Sequence, residues 1–289
     1  MPPRTRPGFA AFPAQNCKQC TNVYCSLGIR RAVLFGGQHS YASTVTEARP
    51  RKDAPQPPDG PDRAGVLDLL GLLAYGELTA SQQLARDAAM APQQADVDAM
   101  NEMAMAEQRH FEMLRERLVE HGVDPTDASA PFVGAIDEFH RRTAPHDWLE
   151  GLVKAYIGDG IANDFYREIG VRIRDGAIDL AAGDEEEETQ RDGELVVSVC
   201  EDLGHSDFAI ERVKRAIEED PKVSGRLALW GRWLVGEALC QAEQVALERD
   251  SLTALLVGVE DPDFDEVNQV LSRLTQGHAR RMSTLGLAS

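Results

Sequence analysis

The chain has 289 residues, of which 43% are hydrophobic, and this is enough apolar sequence to bury the core of one large domain. It carries 30 basic and 48 acidic residues, for a formal net charge of −18, which argues against non-specific binding to bare phosphate backbones. The most apolar stretch, residues 66–75, is interrupted by Asp68 and Gly71, so we expect no membrane span.

The first 60 residues differ in composition from the rest of the chain. They are rich in proline and contain eight basic against three acidic residues, without the apolar segment of a secretory signal. We therefore interpret residues 1–60 as a disordered N-terminal extension and residues 61–289 as one helical domain, and we expect a soluble, cytoplasmic protein. Cys17, Cys20 and Cys25 have the spacing of half a zinc site, but no second pair follows, so their role stays open.

Apolar residues recur at helical spacing from Ala64 onward, and six helices are predicted. Their approximate bounds are 64–91, 95–121, 147–174, 193–219, 223–258 and 263–285. The first two helices form a hairpin, and residues 122–146, with one short helix over 133–141, separate them from the third. An acidic run at 184–188 is interpreted as a solvated loop. Two hairpins joined by a long crossover indicate an all-α, ferritin-like four-helix bundle with two additional C-terminal helices.

Carboxylates and histidines interrupt the apolar faces of the four bundle helices. They are Glu77 on the first helix, Glu107 and His110 on the second, Asp159 on the third, and Asp202 and His205 on the fourth. Four buried carboxylates without partners would each cost several kcal/mol, and two divalent cations would cancel their charge. Each acid–histidine pair could ligate one ion, while the two single acids bridge the ions. Oxygen and nitrogen ligands suit two iron ions, with manganese as the alternative.

Asp164 is the alternative to Asp159 on the third helix, because its neighbours also form an apolar line. Five residues correspond to about 140° around a helix, so we expect only one of these aspartates to face the metals, and we favour Asp159. A single acid–histidine pair is more often a surface pair or a capped histidine, so the prediction depends on the combination. No catalytic residue separate from the metal centre is predicted.

Five segments of the chain carry a resemblance to a known family. They are YGEL (75–78), AEQRHFEML (106–114), YIGDGIANDFYREI (156–169), DLGHSDFAIERV (202–213) and GRLALWGRWLVGEAL (225–239). From about Gly65 to the C-terminus, the chain resembles the actinobacterial ferritin-like proteins grouped with the tRNA 2-methylthio-isopentenyladenosine hydroxylases. The resemblance places the family's metal ligands on the six residues above, with aspartate at two positions where many relatives of the fold have glutamate. It implies a di-iron monooxygenase that hydroxylates a modified adenosine of tRNA and needs an electron donor or reductase.

Two other functions stay open from the sequence. A ferritin-like protein that oxidises or stores iron would use the same ligands without an organic substrate, and a helical interaction module would carry a degenerate site. The acidic body opposes the tRNA hypothesis, because only short basic clusters such as Arg212, Lys214 and Arg215 interrupt it. Oligomer formation is compatible with all three functions.

Overall fold

The computed structural model describes residues 60–175, 184–201, 205–257 and 264–287, and every regular element in these ranges is helical. The elements are α1 (Gly60–Ala88), α2 (Gln94–Glu120), α3 (Pro125–Arg142), α4 (Trp148–Lys154), a π-helix (Ala155–Asp159), α5 (Gly160–Arg174), α6 (Asp184–Val199), α7 (His205–Glu219), α8 (Lys222–Glu248), α9 (Asp250–Val257) and α10 (Phe264–Thr284). The predicted all-α fold is thus confirmed. The proposed N-terminal extension, including Cys17, Cys20 and Cys25, lies outside the described residues apart from its last residue, Gly60.

The crossover after α2 holds a helix of 18 residues, α3, where the sequence predicted only a short one. Its start has clear local causes: Asp124 accepts hydrogen bonds from the backbone amides of Thr126 and Asp127, and Pro125 occupies the first turn, where its missing N–H costs nothing. The helix packs closely on α1, since a Cβ added to Gly71 would lie 2.4 Å from the carbonyl oxygen of Ala128.

The acidic run 184–188 begins helix α6, so the prediction of a loop there is wrong. Carboxylates are favourable in the first turn of a helix, where they face unpaired N–H groups and the positive end of the helix dipole. Gly193 in α6 and Gly170 in α5 allow these two helices to approach closely. A Cβ added to Gly193 would lie 2.4 Å from the backbone nitrogen of Arg174 and 2.8 Å from the carbonyl oxygen of Gly170.

Two helices that were predicted as continuous are interrupted. The predicted fourth helix ends at Val199 and restarts at His205, around a sequence in which Asp202 and Gly204 have low helix propensity. The predicted fifth helix ends at Glu248, and the break directs the Arg249 side chain to Asp68 of α1, with Nε 3.0 Å from a carboxylate oxygen. In the described ranges, the additional C-terminal part therefore comprises three helices, α8 to α10.

The core consists of two apolar clusters, and α1 and α2 both contribute to each of them. On α1, Leu70 and Leu73 belong to one cluster and Leu84 to the other, so Glu77 lies between the two. On α2, Met103 and Leu114 are divided in the same way around Glu107 and His110. A polar layer therefore crosses the core at the predicted metal site. No described helix has the length and apolar character that a membrane span requires.

Candidate metal centre

Three of the predicted ligands converge in this polar layer. Glu77 comes from α1, while Glu107 and His110 lie one turn apart on α2. Each residue offers one ligand atom, and these atoms all lie within 4.8 Å of one another. The Nδ1 atom of His110 is 3.4 Å from a Glu107 oxygen and 3.6 Å from a Glu77 oxygen. Within the described ranges, no other group of three such side chains is close enough to hold a metal ion.

Packing of α1 against α2 fixes the position of this cluster. The Ser81 hydroxyl, one turn beyond Glu77, donates a hydrogen bond of 2.8 Å to the carbonyl oxygen of Ala104 on α2. Glu77 is buried, and the side chain of His110 is only 13% exposed. The Nδ1 atom of His110 is buried without a hydrogen-bond partner. A buried polar atom of this kind costs free energy unless it gains a partner, so the position favours a bound cation.

The three side chains of the cluster shift one another's pKa values. Burial and the neighbouring carboxylate of Glu107 raise the pKa of Glu77 well above its usual value, while His110 opposes the rise. Burial also acts to raise the pKa of Glu107, but its interactions with Glu77 and His110 leave that pKa lowered. Glu107 first, and then Glu77, raise the pKa of His110 to about 9, although burial opposes the shift. Without metal, His110 therefore keeps a proton at neutral pH, and Glu77 holds its proton to a higher pH than an isolated glutamate does.

Asp159, the last residue of the π-helix, lines the same cavity as Glu107 and His110. Burial and, next, the charge of Glu107 raise its pKa well above the usual value, and Lys154 opposes the rise. Among the described residues, Asp159 has no ion pair and no hydrogen bond from a side chain. An acid without a described partner, near the charge of Glu107, is a group that a metal ion would stabilise. Its place on a π-helix is also typical, because such segments are frequent at functional sites.

Asp164 lines this cavity too, although we expected only one of the two aspartates to face it. The cavity extends along α5, and five residues of helix rise by about 7.5 Å, so one wall includes both side chains. The Asp164 oxygens each accept a hydrogen bond of 2.8 Å from Arg281 of α10. Because this pairing occupies both oxygens, the structure favours Asp159 as the candidate ligand.

His205, the first residue of α7, lines the cavity and is near enough to Glu107 to interact with it electrostatically. It does not belong to the tight group formed by Glu77, Glu107 and His110. Its predicted partner Asp202 lies outside the described residues, so the pairing of Asp202 with His205 stays a prediction. Among the described residues, the predicted fourth helix is interrupted at Cys200 and Glu201, between the end of α6 at Val199 and the start of α7 at His205.

A cavity of about 150 Å³ adjoins the cluster. Its apolar lining includes Met103, Ala155, Val199 and Ala209. Two arginines that the sequence did not assign to the metal site also line it, Arg167 from α5 and Arg281 from α10. Gly160 makes room for the second of these, since a Cβ there would lie 2.2 Å from the Nε atom of Arg281. Contacts between such distant parts of the chain leave no local signal in the sequence.

The donor set fits a divalent metal that prefers oxygen and nitrogen ligands. The cluster offers two carboxylates and one imidazole, and the cavity adds Asp159 and His205. Cys200 also lines the cavity, but burial raises the pKa of its thiol to about 12, so the thiolate that soft metals prefer is disfavoured. Iron and manganese both suit such a set, and zinc or copper sites rich in thiolate do not resemble it.

Residues 62–259 match a protein family described as a ferritin-like domain of actinomycetes. The match covers well over half of the chain and includes all six predicted ligands. It ends before α10, the helix that supplies Arg281 to the cavity. A comparison with curated proteins found no match.

Proposed function

The chain belongs to the ferritin-like domain family of actinomycetes, and we propose that it is a di-iron oxygenase that hydroxylates an organic substrate. The observation that carries this proposal is the buried Nδ1 atom of His110, which makes no hydrogen bond and faces the carboxylates of Glu77 and Glu107. In the proposal, Glu107 and His110 hold one ion, and Asp202 and His205 hold the second. Glu77 and Asp159 would complete the set of ligands that holds the two ions.

Bound iron would supply the activation of O2, so that one oxygen atom enters a C–H bond of the substrate and the other leaves as water. Two electrons from a reductase partner and two protons complete the balance of this reaction. The chain's own residues hold the ions, exclude water with the apolar wall of the cavity, and orient the substrate. Glu77 and His110, whose pKa values are both raised, can hold protons at the site.

The resemblance to tRNA-modifying hydroxylases makes a modified adenosine of tRNA one candidate substrate. Residues 61–289, however, contain 22 basic against 45 acidic residues, which disfavours approach of a phosphate backbone. The positive charge of the basic cluster on α7 is also partly neutralised by acids. Arg212 pairs with Asp96 at 2.7 Å, and Arg215 pairs with Glu211 at 2.6 Å. A small organic molecule therefore suits the site better than a nucleic acid.

The proposal is tested by loading the metal-free chain with Fe(II) without air and then admitting O2 with a chemical reductant. We expect about two irons per chain, and O2 consumption that continues only while reductant is present. Uptake of many irons per chain, with O2 consumed in proportion to iron and without reductant, would instead indicate iron oxidation or storage. Filter binding of tRNA at low salt tests the nucleic-acid alternative, for which we expect no retention.

A further inference from the structure

We infer that the cavity binds a small organic anion with an apolar body, and that Arg167 holds its charged end. The inference rests on the proposed function in one respect, which is that this ligand would be the substrate of the metal centre. The anion preference itself is a separate property of the chain, since it is assigned to Arg167, which is not a proposed metal ligand.

Arg167 has no carboxylate partner among the residues that the structure describes. It lines the cavity and is also exposed, so its guanidinium group lies at the opening. One of its N–H groups donates a hydrogen bond to the carbonyl oxygen of Cys200, a neutral acceptor that holds the side chain in place. Within the described ranges it makes no ion pair, unlike Arg281 on the same cavity. A guanidinium group has five donors, so several are left for a bound oxyanion.

The Arg281–Asp164 pair keeps Arg167 available for a ligand. Asp164 lies three residues before Arg167 on α5, a spacing at which an acid and an arginine pair readily. Instead, both oxygens of Asp164 accept hydrogen bonds from Arg281 of α10. The absence of side chains at Gly160 and Gly277 accommodates this pair, because a Cβ added to Gly277 would lie 2.6 Å from Asp164 Oδ2.

The charges around the cavity also determine how a ligand would be oriented. Glu107 lines the cavity on the side of the metal centre, and its carboxylate disfavours an anionic group there in the metal-free chain. Arg167 attracts that group to the opening, which directs the rest of the molecule toward the centre. The apolar part of the wall, which includes Met103 and Val199, suits an uncharged body. The ligand class is therefore a small organic acid with an apolar body.

The test uses benzoate as the anionic probe and benzyl alcohol as its uncharged counterpart, titrated calorimetrically into the full-length, metal-free chain. Omitting metal excludes direct coordination of the carboxylate. We expect benzoate to bind more tightly than benzyl alcohol by about tenfold or more. The Arg167→Gln variant should lose this preference for benzoate. The control is Arg280→Gln, because Arg280 is exposed and the change removes the same charge. This control should keep the preference.

Variants of the ion pair distinguish a binding role from a merely structural one. Asp164→Asn leaves both arginines without a carboxylate, so benzoate should bind more tightly, by roughly threefold. Arg281→Gln frees Asp164 to pair with Arg167, so benzoate should bind more weakly to this variant. The double variant Arg281→Gln/Asp164→Asn should recover the wild-type affinity for benzoate. A structural role of the pair predicts instead that all three variants lose affinity together with thermal stability.

The inference is overturned if the wild-type chain binds benzoate no better than benzyl alcohol, or if Arg167→Gln and Arg280→Gln bind benzoate equally. It is also overturned if Asp164→Asn weakens binding. Iron content is measured separately on the same preparations. A chain that binds benzoate as expected but takes up no iron would contradict the proposed function alone, and a chain with iron but no anion preference would contradict this inference alone.

Discussion

The Nδ1 atom of His110 lies 3.6 Å from the Oε2 atom of Glu77, across the packed contact between α2 and α1. Glu107, one turn before His110, places a second carboxylate oxygen 3.4 Å from the same nitrogen. This nitrogen is buried between the two acids and makes no hydrogen bond. Its stabilisation requires either a proton or a metal ion, and the two compete for the same position.

This competition predicts that metal binding releases protons. The pKa of His110 is raised to about 9 by Glu107 and Glu77, so at neutral pH this proton must leave before a metal binds. Burial raises the pKa of Glu77, so release of its proton acts in the same direction. Each displaced proton should increase the apparent metal affinity about tenfold per pH unit between about pH 6 and 8. Calorimetry in buffers of different ionisation enthalpy counts these protons. His110→Ala should release one proton fewer, and an unchanged count would contradict the assignment.

The metal-free chain should lose stability as pH rises. For His110, the folded pKa of about 9 lies above the ordinary value, so its contribution is complete below about pH 6.5 and is lost as the pH rises through 9. The raised pKa of Glu77 acts in the same direction. The melting temperature of the metal-free chain should therefore fall from about pH 6.5 to 8, while the metal-loaded chain changes less.

His110→Ala should flatten this pH dependence of the metal-free chain. His146→Ala is the matched control, because the side chain of His146 is 68% exposed and lies outside the cavity. Equal slopes in the two variants would show that His110 does not carry the extra proton. The melting temperatures are compared only up to about pH 8. Burial lowers the pKa of Lys154 to about 8, so above this pH Lys154 makes stability rise with pH, opposite to His110.

The two aspartates of the cavity should differ in their effect on metal content. Asp159 is half-buried and has no described side-chain partner, whereas both oxygens of Asp164 are paired with Arg281. Asp159→Asn should reduce the iron bound per chain by half or more, since the sequence predicts that this residue bridges the ions. Asp164→Asn should leave the iron content unchanged. The reverse result, measured by elemental analysis, would transfer the role of ligand to Asp164.

Much of the site could be predicted because its signal is local. Glu77, Glu107 and His110 each interrupt an apolar stripe on a long helix, and the bounds of α1 and α2 follow from helical periodicity. The interruption after Val199 could not be predicted in this way, because the apolar pattern continues on both sides of it. Arg281 was missed for another reason, since its place in the cavity depends on contacts with Gly160 and Asp164, far away in sequence.

The close contact between α5 and α6 predicts a large effect of one methyl group. Gly193→Ala would place a Cβ 2.4 Å from the backbone nitrogen of Arg174, and backbone atoms cannot move aside without separating the helices. We expect a loss of about 1–3 kcal/mol in the free energy of unfolding, measured by chemical denaturation. Gly236→Ala is the control, because no atom lies within 4 Å of the added Cβ. That change should stabilise α8 by roughly 0.5–1 kcal/mol, and equal losses in both variants would contradict the packing argument.

The central claim, that Glu77, Glu107 and His110 hold a metal ion, is tested most directly by the iron content of the reconstituted chain. The wild type should bind about two irons per chain, and His110→Ala should lose mainly the ion nearer to α2, while His146→Ala retains both. Glu107→Gln should lose the same ion as His110→Ala, because the two residues share it. Iron content equal to that of the wild type in both His110→Ala and Glu107→Gln would contradict the account, and the cluster would then be a buried acid–histidine group of the helical core.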